Sequence, residues 1–294
     1  MEWKVTKEFE GMSIKDYLQQ VHSFSRRILK SIKFDGGEIY VNDIKQTTRY
    51  RLNEGDILTV HFPPETIGPQ MEPIQMPLTI QYEDEDILIL DKPANVATIP
   101  SRQHPSNTIA NGVLGYYKKQ NLPYTVHIVT RLDKNTSGLI LIAKHRYSHS
   151  ILDKAIKEGK IKRKYSAIVY GHLKNCTGTI DAPIGRKADS IIEREVRKDG
   201  QEAVTHYNVM QQFPNYAFVE ASLQTGRTHQ IRVHFAYIGH PLIGDDLYGE
   251  KTDVIERQAL HASHICFNHP FNGKQIAIES NIPQDMKRLL QSIN

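Results

Sequence analysis

The chain has 294 residues, 39% of them hydrophobic and 24% charged, a balance that supports a full buried core and excludes a disordered or fibrous protein. Its 37 basic and 33 acidic side chains leave a formal charge of +4, compatible with a polyanionic partner without demanding one. The two cysteines, Cys176 and Cys266, form no C-x-x-C pair, so neither a disulfide framework nor a cysteine-based zinc site is expected and a reducing cytoplasm fits. Glu2 and Lys4 stand where a signal peptide needs its apolar region. No run approaches the roughly 18 apolar residues of a membrane-crossing helix, so no membrane partner is expected.

Residues 1–62 form one unit by pattern. Ile14, Tyr17, Leu18 and Val21 recur at helical spacing behind Ser13, a good N-cap. A second short helix is predicted from Ser25 to Ile32, with Ile28, Leu29 and Ile32 on its apolar face and Arg26, Arg27, Lys30 and Lys33 on the other. Gly36-Gly37, the alternating stretch Glu38–Asn42 and the turn Asn53–Asp56 then lead into a strand over Ile57–Val60. Taken alone, the four basic residues are a solvated helix face. The order of helices, strands and turns, however, resembles the RNA-binding domain of ribosomal protein four of the small subunit (S-four-like below). That resemblance implies that Arg26, Arg27, Lys30 and Lys33 meet RNA phosphates, which gives affinity rather than sequence reading.

Pro63, Pro64, Pro69, Pro73 and Pro77 punctuate residues 63–77, which read as an extended linker. A second domain is expected over 78–294. It opens with a hairpin, Leu78–Tyr82 and Ile87–Leu90, around the acidic turn Glu83–Asp86. Helices are predicted over Thr108–Lys119, over His145–Glu158 with Gly159 as the stop, from Thr228 to Gly239, and from about Asp285. Strands are predicted at 165–170, 204–209, 217–223 and 275–279. Strands joined by short turns imply an α+β fold: a mixed, mainly antiparallel sheet flanked by helices, behind a small N-terminal αβ domain.

Four segments of this second domain carry the chemistry: Tyr82–Ala94, Arg131–Leu139, Lys162–Gly171, and Thr225–His234 with Gly239–Gly249 close behind. Asp133 stands between Arg131 and Lys134, before the turn Thr136-Ser137-Gly138 and the apolar run Leu139–Ala143. By itself it is as readily a turn residue as a nucleophile. Tyr165 alternates with Ala167 and Val169, as a core tyrosine would, and Arg232 taken singly is a surface arginine. The acidic run 83–86 lacks the glycine and terminal glutamate of a calcium loop and reads as a solvated turn. The pairs His261/His264 and His229/His234 match no zinc motif.

In this order and spacing the four segments resemble pseudouridine synthases of the RluA type, from residue 78 to the end of the chain. The resemblance implies Asp133 as the catalytic aspartate, Tyr165 as the active-site tyrosine and Arg232 as the cation paired with the aspartate. It also implies Arg131 as the wedge that takes the place of the flipped base, with Arg227, His229 and Gln230 binding substrate. Many members carry histidine before that arginine, where this chain has Thr130.

The chemistry suits these residue types. A carboxylate can act at the sugar as nucleophile or base while the glycosidic bond breaks and re-forms through carbon 5. A tyrosine can stack on the flipped uracil and assist loss of the carbon 5 proton. Flipping costs a few kcal/mol of unstacking, which a wedge offsets in part. Neither redox change nor hydrolysis is involved, so no metal or organic cofactor is expected. The expected partner is RNA, ribosomal more than transfer, and the expected state is a monomer. Two other classes differ by clear signs. A non-catalytic RNA-binding assembly factor would have lost Asp133, Tyr165 or Arg232, and a nucleoside hydrolase would need a second positioned acid.

Overall fold

The apolar run after Asp133 becomes a strand buried along its whole length, Ser137–Ala143, because both faces of its sheet are covered. The computed structural model describes residues 1–65, 67–68, 71–249 and 254–292. The N-terminal elements are β1 (Glu2–Lys4), α1 (Ile14–Asp16), α2 (Arg26–Phe34), β2 (Glu38–Val41), β3 (Ile44–Lys45) and β4 (Ile57–His61). They make an antiparallel sheet of order β1-β4-β2-β3 with the helices packed on it.

The remainder comprises β5 (Thr79–Glu83), β6 (Ile87–Lys92), α3 (Ile109–Lys119), β7 (His127–Ile128), β8 (Ser137–Ala143), α4 (Arg146–Lys157) and β9 (Lys162–Tyr170). These are followed by β10 (Thr177–Asp181), β11 (Ile184–Arg186), β12 (Arg194–Val196), β13 (Val204–Gln212) and β14 (Tyr216–Leu223). The last elements are α5 (Gln230–Tyr237), β15 (Leu260–Asn268), β16 (Gln275–Glu279) and α6 (Gln284–Ser292).

The large sheet runs β10-β13-β14-β9-β15-β8-β6-β5, with β16 beside β15 and β7 beside β8. Its pairings are antiparallel except β15 with β8, so the fold is α+β with a mixed sheet, as the pattern implied. Alternation sorts the side chains between two cores. Leu88, Leu90, Ile140, Ile142, Tyr165 and Ala167 face α3 and α5, while Ile87, Ile89, Leu139 and Leu141 face the side of α4 that carries Leu152. The catalytic candidates belong to the first of these faces.

Two local differences from the sequence pattern have simple causes. Ser13 caps as expected, accepting from Asp16 N at 3.2 Å, but the helix widens to a π-turn over Tyr17–Val21. That widening buries Tyr17 and Leu18 together and lets Phe24 N reach Leu18 O at 2.8 Å. The helix expected to open at Thr228 starts one residue later, behind His229 in the left-handed region at φ 58°. Within the proline-punctuated stretch, residues 72–74 lie along α3, with Ile74 N donating to Asn111 O at 3.0 Å and Asn111 Nδ2 to Glu72 O at 2.9 Å.

The N-terminal sheet is held to the rest through one aromatic residue of α4. Tyr147, 2% exposed, sits in the N-terminal core with its ring 4.4 Å from Phe24 and 5.8 Å from Phe62, and its hydroxyl donates to His22 O at 2.9 Å. Arg146 Nη1 adds a bond to Ser31 Oγ of α2 at 2.8 Å. Tyr147→Ala should therefore cost about 3–5 kcal/mol. In calorimetry it should split the unfolding of residues 1–62 from that of the large sheet. A single unshifted transition would refute this role.

Candidate active site

Asp133 projects from a loop whose neighbouring backbone is fixed at almost every residue. Thr130 N donates to Leu141 O at 3.1 Å while its Oγ1 accepts from Leu141 N at 2.8 Å, stitching the loop to β8. Thr98 Oγ1 holds both the carbonyl of Leu132, at 2.7 Å, and its amide, at 3.3 Å. Arg257 Nη1 reaches Asn135 O at 3.2 Å, Gln258 Nε2 reaches Thr136 Oγ1 at 3.1 Å, and Thr136 N closes a turn onto Asp133 O at 3.1 Å. Beyond the turn, Gly138 has φ 110°, and a Cβ there would lie 2.2 Å from Ala262 O. Glycine is what lets β8 approach β15 and start the parallel pairing.

Lys92 is the least expected of these anchors. It is 0% exposed, and its ammonium donates to Pro93 O at 2.8 Å, Val96 O at 2.9 Å and Lys134 O at 3.0 Å, three carbonyls for three protons. Burial pulls its pKa down to about 7, with the nearby Asp133 carboxylate pulling the other way and Arg257 adding to the fall.

Opposite the loop, α5 delivers Arg232. Its Nε and Nη2 make a bidentate pair with Asp245 Oδ2 and Oδ1, both at 2.7 Å, and its Nη1 donates to Asp133 Oδ2 at 3.2 Å. Asp245 is 0% exposed and its Oδ1 also accepts from Leu247 N and Tyr248 N, each at 3.1 Å, so the group is sealed and anchored to the backbone. Asp133 keeps 27% of its side chain open. Burial works against the charge on Arg232, but the hydrogen bonds and charge of Asp245, with Asp133 beside them, hold its pKa above the ordinary value. The Tyr248 ring lies against the guanidinium, its centroid 5.1 Å from Cζ. Asp246 comes within 3.8 Å of Arg232 from an exposed position.

The other expected site residues fall into two groups. Tyr165 on β9 lies between Ala221 and Ala262 of the neighbouring strands and is 6% exposed. Burial pushes its hydroxyl pKa up; the nearby Arg163 opposes this and Asp133 adds to it. His229 places Nε2 3.8 Å from Asp133 Oδ1, and Arg131, two residues before Asp133 in the chain, is exposed. Arg227 is exposed at the rim, with its Nε on Glu202 O at 2.8 Å.

Gln230, expected at the substrate, is 2% exposed and turned inward. Its Oε1 accepts from Thr225 Oγ1 and Arg227 N, both at 2.9 Å, and its Nε2 donates to Val204 O and Thr205 Oγ1, both at 3.0 Å. It holds the turn that aims α5 rather than facing the pocket. Arg26, Arg27, Lys30 and Lys33 belong to α2 in the N-terminal unit, outside the Asp133 cluster, with Arg26, Arg27, Lys30 and Lys33 all exposed.

The acidic turn is less solvated than its sequence suggested. Asp84 Oδ1 accepts from Asp86 N and Ile87 N at 2.8 Å each, and His269 Nε2 lies 3.0 Å from Asp84 Oδ2. Asp84, Asp86 and His269 bring their ligand-type atoms within 4.8 Å of one another. His269 Nδ1 accepts from Phe271 N and Asn272 N, both at 3.3 Å, so the ring proton sits on Nε2, facing Asp84. An imidazole used this way offers no lone pair to a cation, and the cluster is a turn closed by its own backbone amides with the His269 ring against it.

A model of the RNA pseudouridylate synthase family matches residues 86–237, the stretch that contains Asp133, Tyr165 and Arg232. The chain belongs to that family. It is an isomerase that acts on RNA. The uncharacterized RNA pseudouridine synthase YjbO of Bacillus subtilis is 48% identical over 283 residues, covering 96% of this chain and 100% of the relative. Ribosomal large subunit pseudouridine synthase D of Escherichia coli is 38% identical over 236 residues, covering 76% and 72% of the two chains. Among solved structures, human RNA pseudouridylate synthase domain containing 1 shares the fold at a TM-score of 0.59 and 21% identity, over 78% of this chain and 97% of that one. The human domain-containing protein 4 does so at 0.60 and 18%, over 73% and 92%.

Two outcomes follow from this geometry. Arg232→Met leaves the buried Asp245 charge unpaired and should destabilise the fold by about 3–5 kcal/mol in urea titration. Adding Asp245→Leu should restore most of that stability but no activity; full activity in the double variant would remove Arg232 from the site. For Lys92, the unfolded chain holds a proton that the folded chain lacks between pH 7 and the ordinary lysine range. Unfolding free energy should therefore rise with pH across that window, relative to Lys92→Met. Parallel pH profiles for the two proteins would contradict it.

Proposed function

We propose that Asp133 is the catalytic carboxylate that converts uridines in structured RNA to pseudouridine. One observation carries this reading: of the two carboxylates paired most closely with Arg232, Asp245 is anchored and sealed, and Asp133 alone keeps an open face. Hydrolysis of the glycosidic bond would call for a second positioned acid to activate water. Asp245 is 0% exposed, closed to a water from the pocket, which favours an internal transfer.

In the proposed sequence Asp133 acts at the sugar as the bond from nitrogen 1 to carbon 1′ breaks. The base turns and bonds through carbon 5, carbon 5 gives up its proton, and nitrogen 1 takes one up. Arg232 compensates the carboxylate from the dry side, and Tyr165 presents its ring to the flipped uracil with a neutral hydroxyl near carbon 5. Arg131 fills the gap left in the RNA stack, and Arg227 and His229 line the approach.

We assign residues 1–62 to RNA binding in the S-four-like manner, with Arg26, Arg27, Lys30 and Lys33 on phosphates. Residues 63–77 connect them to the catalytic part over 78–294. The similarity to an enzyme named for the ribosomal large subunit makes that RNA the proposed substrate of a cytoplasmic, monomeric protein. No helix among the described residues is long and apolar enough to cross a membrane.

Pseudouridine mapping of total RNA from cells lacking this gene tests the reading when the gene is returned in two forms. The wild-type gene should restore sites in large-subunit ribosomal RNA, and Asp133→Asn should restore none. Restoration by Asp133→Asn would overturn the catalytic assignment, and restored sites confined to transfer RNA would overturn the address.

A further inference from the structure

We propose that Tyr248 is a positioning residue that sets the orientation of both groups flanking Asp133: the His229 imidazole through its hydroxyl and the Arg232 guanidinium through its ring. The proposal rests on the reading of Asp133 as the catalytic carboxylate. It concerns a residue whose hydroxyl bonds Arg194 N and His229 Nδ1 rather than that carboxylate.

The hydrogen bonds fix the direction of each proton. Arg194 N donates to Tyr248 Oη at 2.8 Å, and a backbone N–H can only donate. Tyr248 Oη is also 2.8 Å from His229 Nδ1. Having accepted from Arg194, the hydroxyl has its own proton to give, and Nδ1 is the acceptor in line. An independent constraint gives the same answer from the far side of the ring. His229 Nε2 faces Asp133 Oδ1 at 3.8 Å, where a lone pair would meet an anion and an N–H meets an attraction. Nε2 therefore carries the proton, Nδ1 does not, and Tyr248 is the donor that keeps it so. Burial lowers the His229 pKa, the charge of Asp133 works in the opposite direction, and Arg232 and Arg194 reinforce the fall.

The ring of the same tyrosine does a second task. Arg232 is fixed at one edge by Asp245, and the Tyr248 face, 5.1 Å from Cζ, limits rotation of the Nη1 that reaches Asp133. Tyr248 is further tied to the hairpin of β11 and β12 through Arg194. That hairpin carries Ile191 and Ile192 exposed near its turn. A displacement of the hairpin would thus reach the His229 ring through a single hydroxyl.

Tyr248→Phe removes the hydroxyl and keeps the ring, and Tyr248→Leu removes both. The first measurement is the His229 tautomer by long-range ¹H–¹⁵N NMR, with the signal assigned by its loss in His229→Gln. Wild type should show the Nε2–H form, and Tyr248→Phe should lose that bias while its melting temperature stays close to wild type. In kinetics, Tyr248→Phe should lower kcat about tenfold, the worth of one hydrogen bond, with KM nearly unchanged.

The acid limb of its pH profile should move to higher pH. A free Nδ1, on a ring whose Nε2 faces Asp133, takes up a proton more easily, with Arg232, Arg194 and Asp245 the other charges acting on the ring. Tyr248→Leu should lose more activity than Tyr248→Phe. An Nδ1–H tautomer in wild type, or an unchanged tautomer and kcat in Tyr248→Phe, would overturn the proposal. The NMR result is independent of turnover, so it stands or falls apart from the question of whether Asp133 makes pseudouridine.

Discussion

The site depends on one buried cation shared unequally between two anions. Arg232 gives its Nε–Nη2 edge to Asp245 at 2.7 Å and has Nη1 left for Asp133 at 3.2 Å. Withdrawing a guanidinium from water costs several kcal/mol, so it needs a partner that cannot leave. Asp245 meets that need, held by two backbone amides and sealed from solvent. The arrangement then carries one more negative than positive charge, and the excess lies on Asp133, the member with access to the pocket. Structural and functional roles are thereby divided between two carboxylates on one cation.

A fixed cation is useful only if the loop facing it is equally fixed. Lys92, Arg257 and Gln258 grip the residues after Asp133, and Thr98 and Thr130 grip those before it. Lys92 stands on β6, and Arg257 and Gln258 lie in the segment leading into β15, both strands paired with β8 in the middle of the sheet. The rigidity of a doubly covered sheet is thus passed to one carboxylate through side chain to backbone bonds. Thr130 fits this pattern: its hydroxyl accepts the Leu141 amide.

What could be read in the sequence were the features carried by local pattern. Residue order exposed the Asp133, Tyr165 and Arg232 segments, and periodicity gave the helices over 109–119 and 146–157 nearly to the residue. Central strand β15 escaped because His261, Ser263 and His264 break its apolar alternation, although their strand is largely buried. Lys92 and Asp245 lay inside the segments that drew attention. Nothing in a lysine or an aspartate says that it is buried until the groups that satisfy it, 42 and 13 residues away, are known. Gln230 misleads for the same reason, since an amide that holds a turn has the same letter as one that holds a base. The acidic turn acquired its shielding from His145 and His269, both remote in sequence. Tyr147, which joins the two units, was one of several apolar positions on an amphipathic helix.

The claim that one open carboxylate performs a transfer, with no second acid to activate water, is tested most directly by the product. RNA incubated with the purified protein, digested to nucleosides and separated by liquid chromatography with mass detection, should yield pseudouridine in place of uridine at equal mass, with no free uracil released. Free uracil accumulating with abasic sites would contradict the account, because the reading assigns no second acid to activate water.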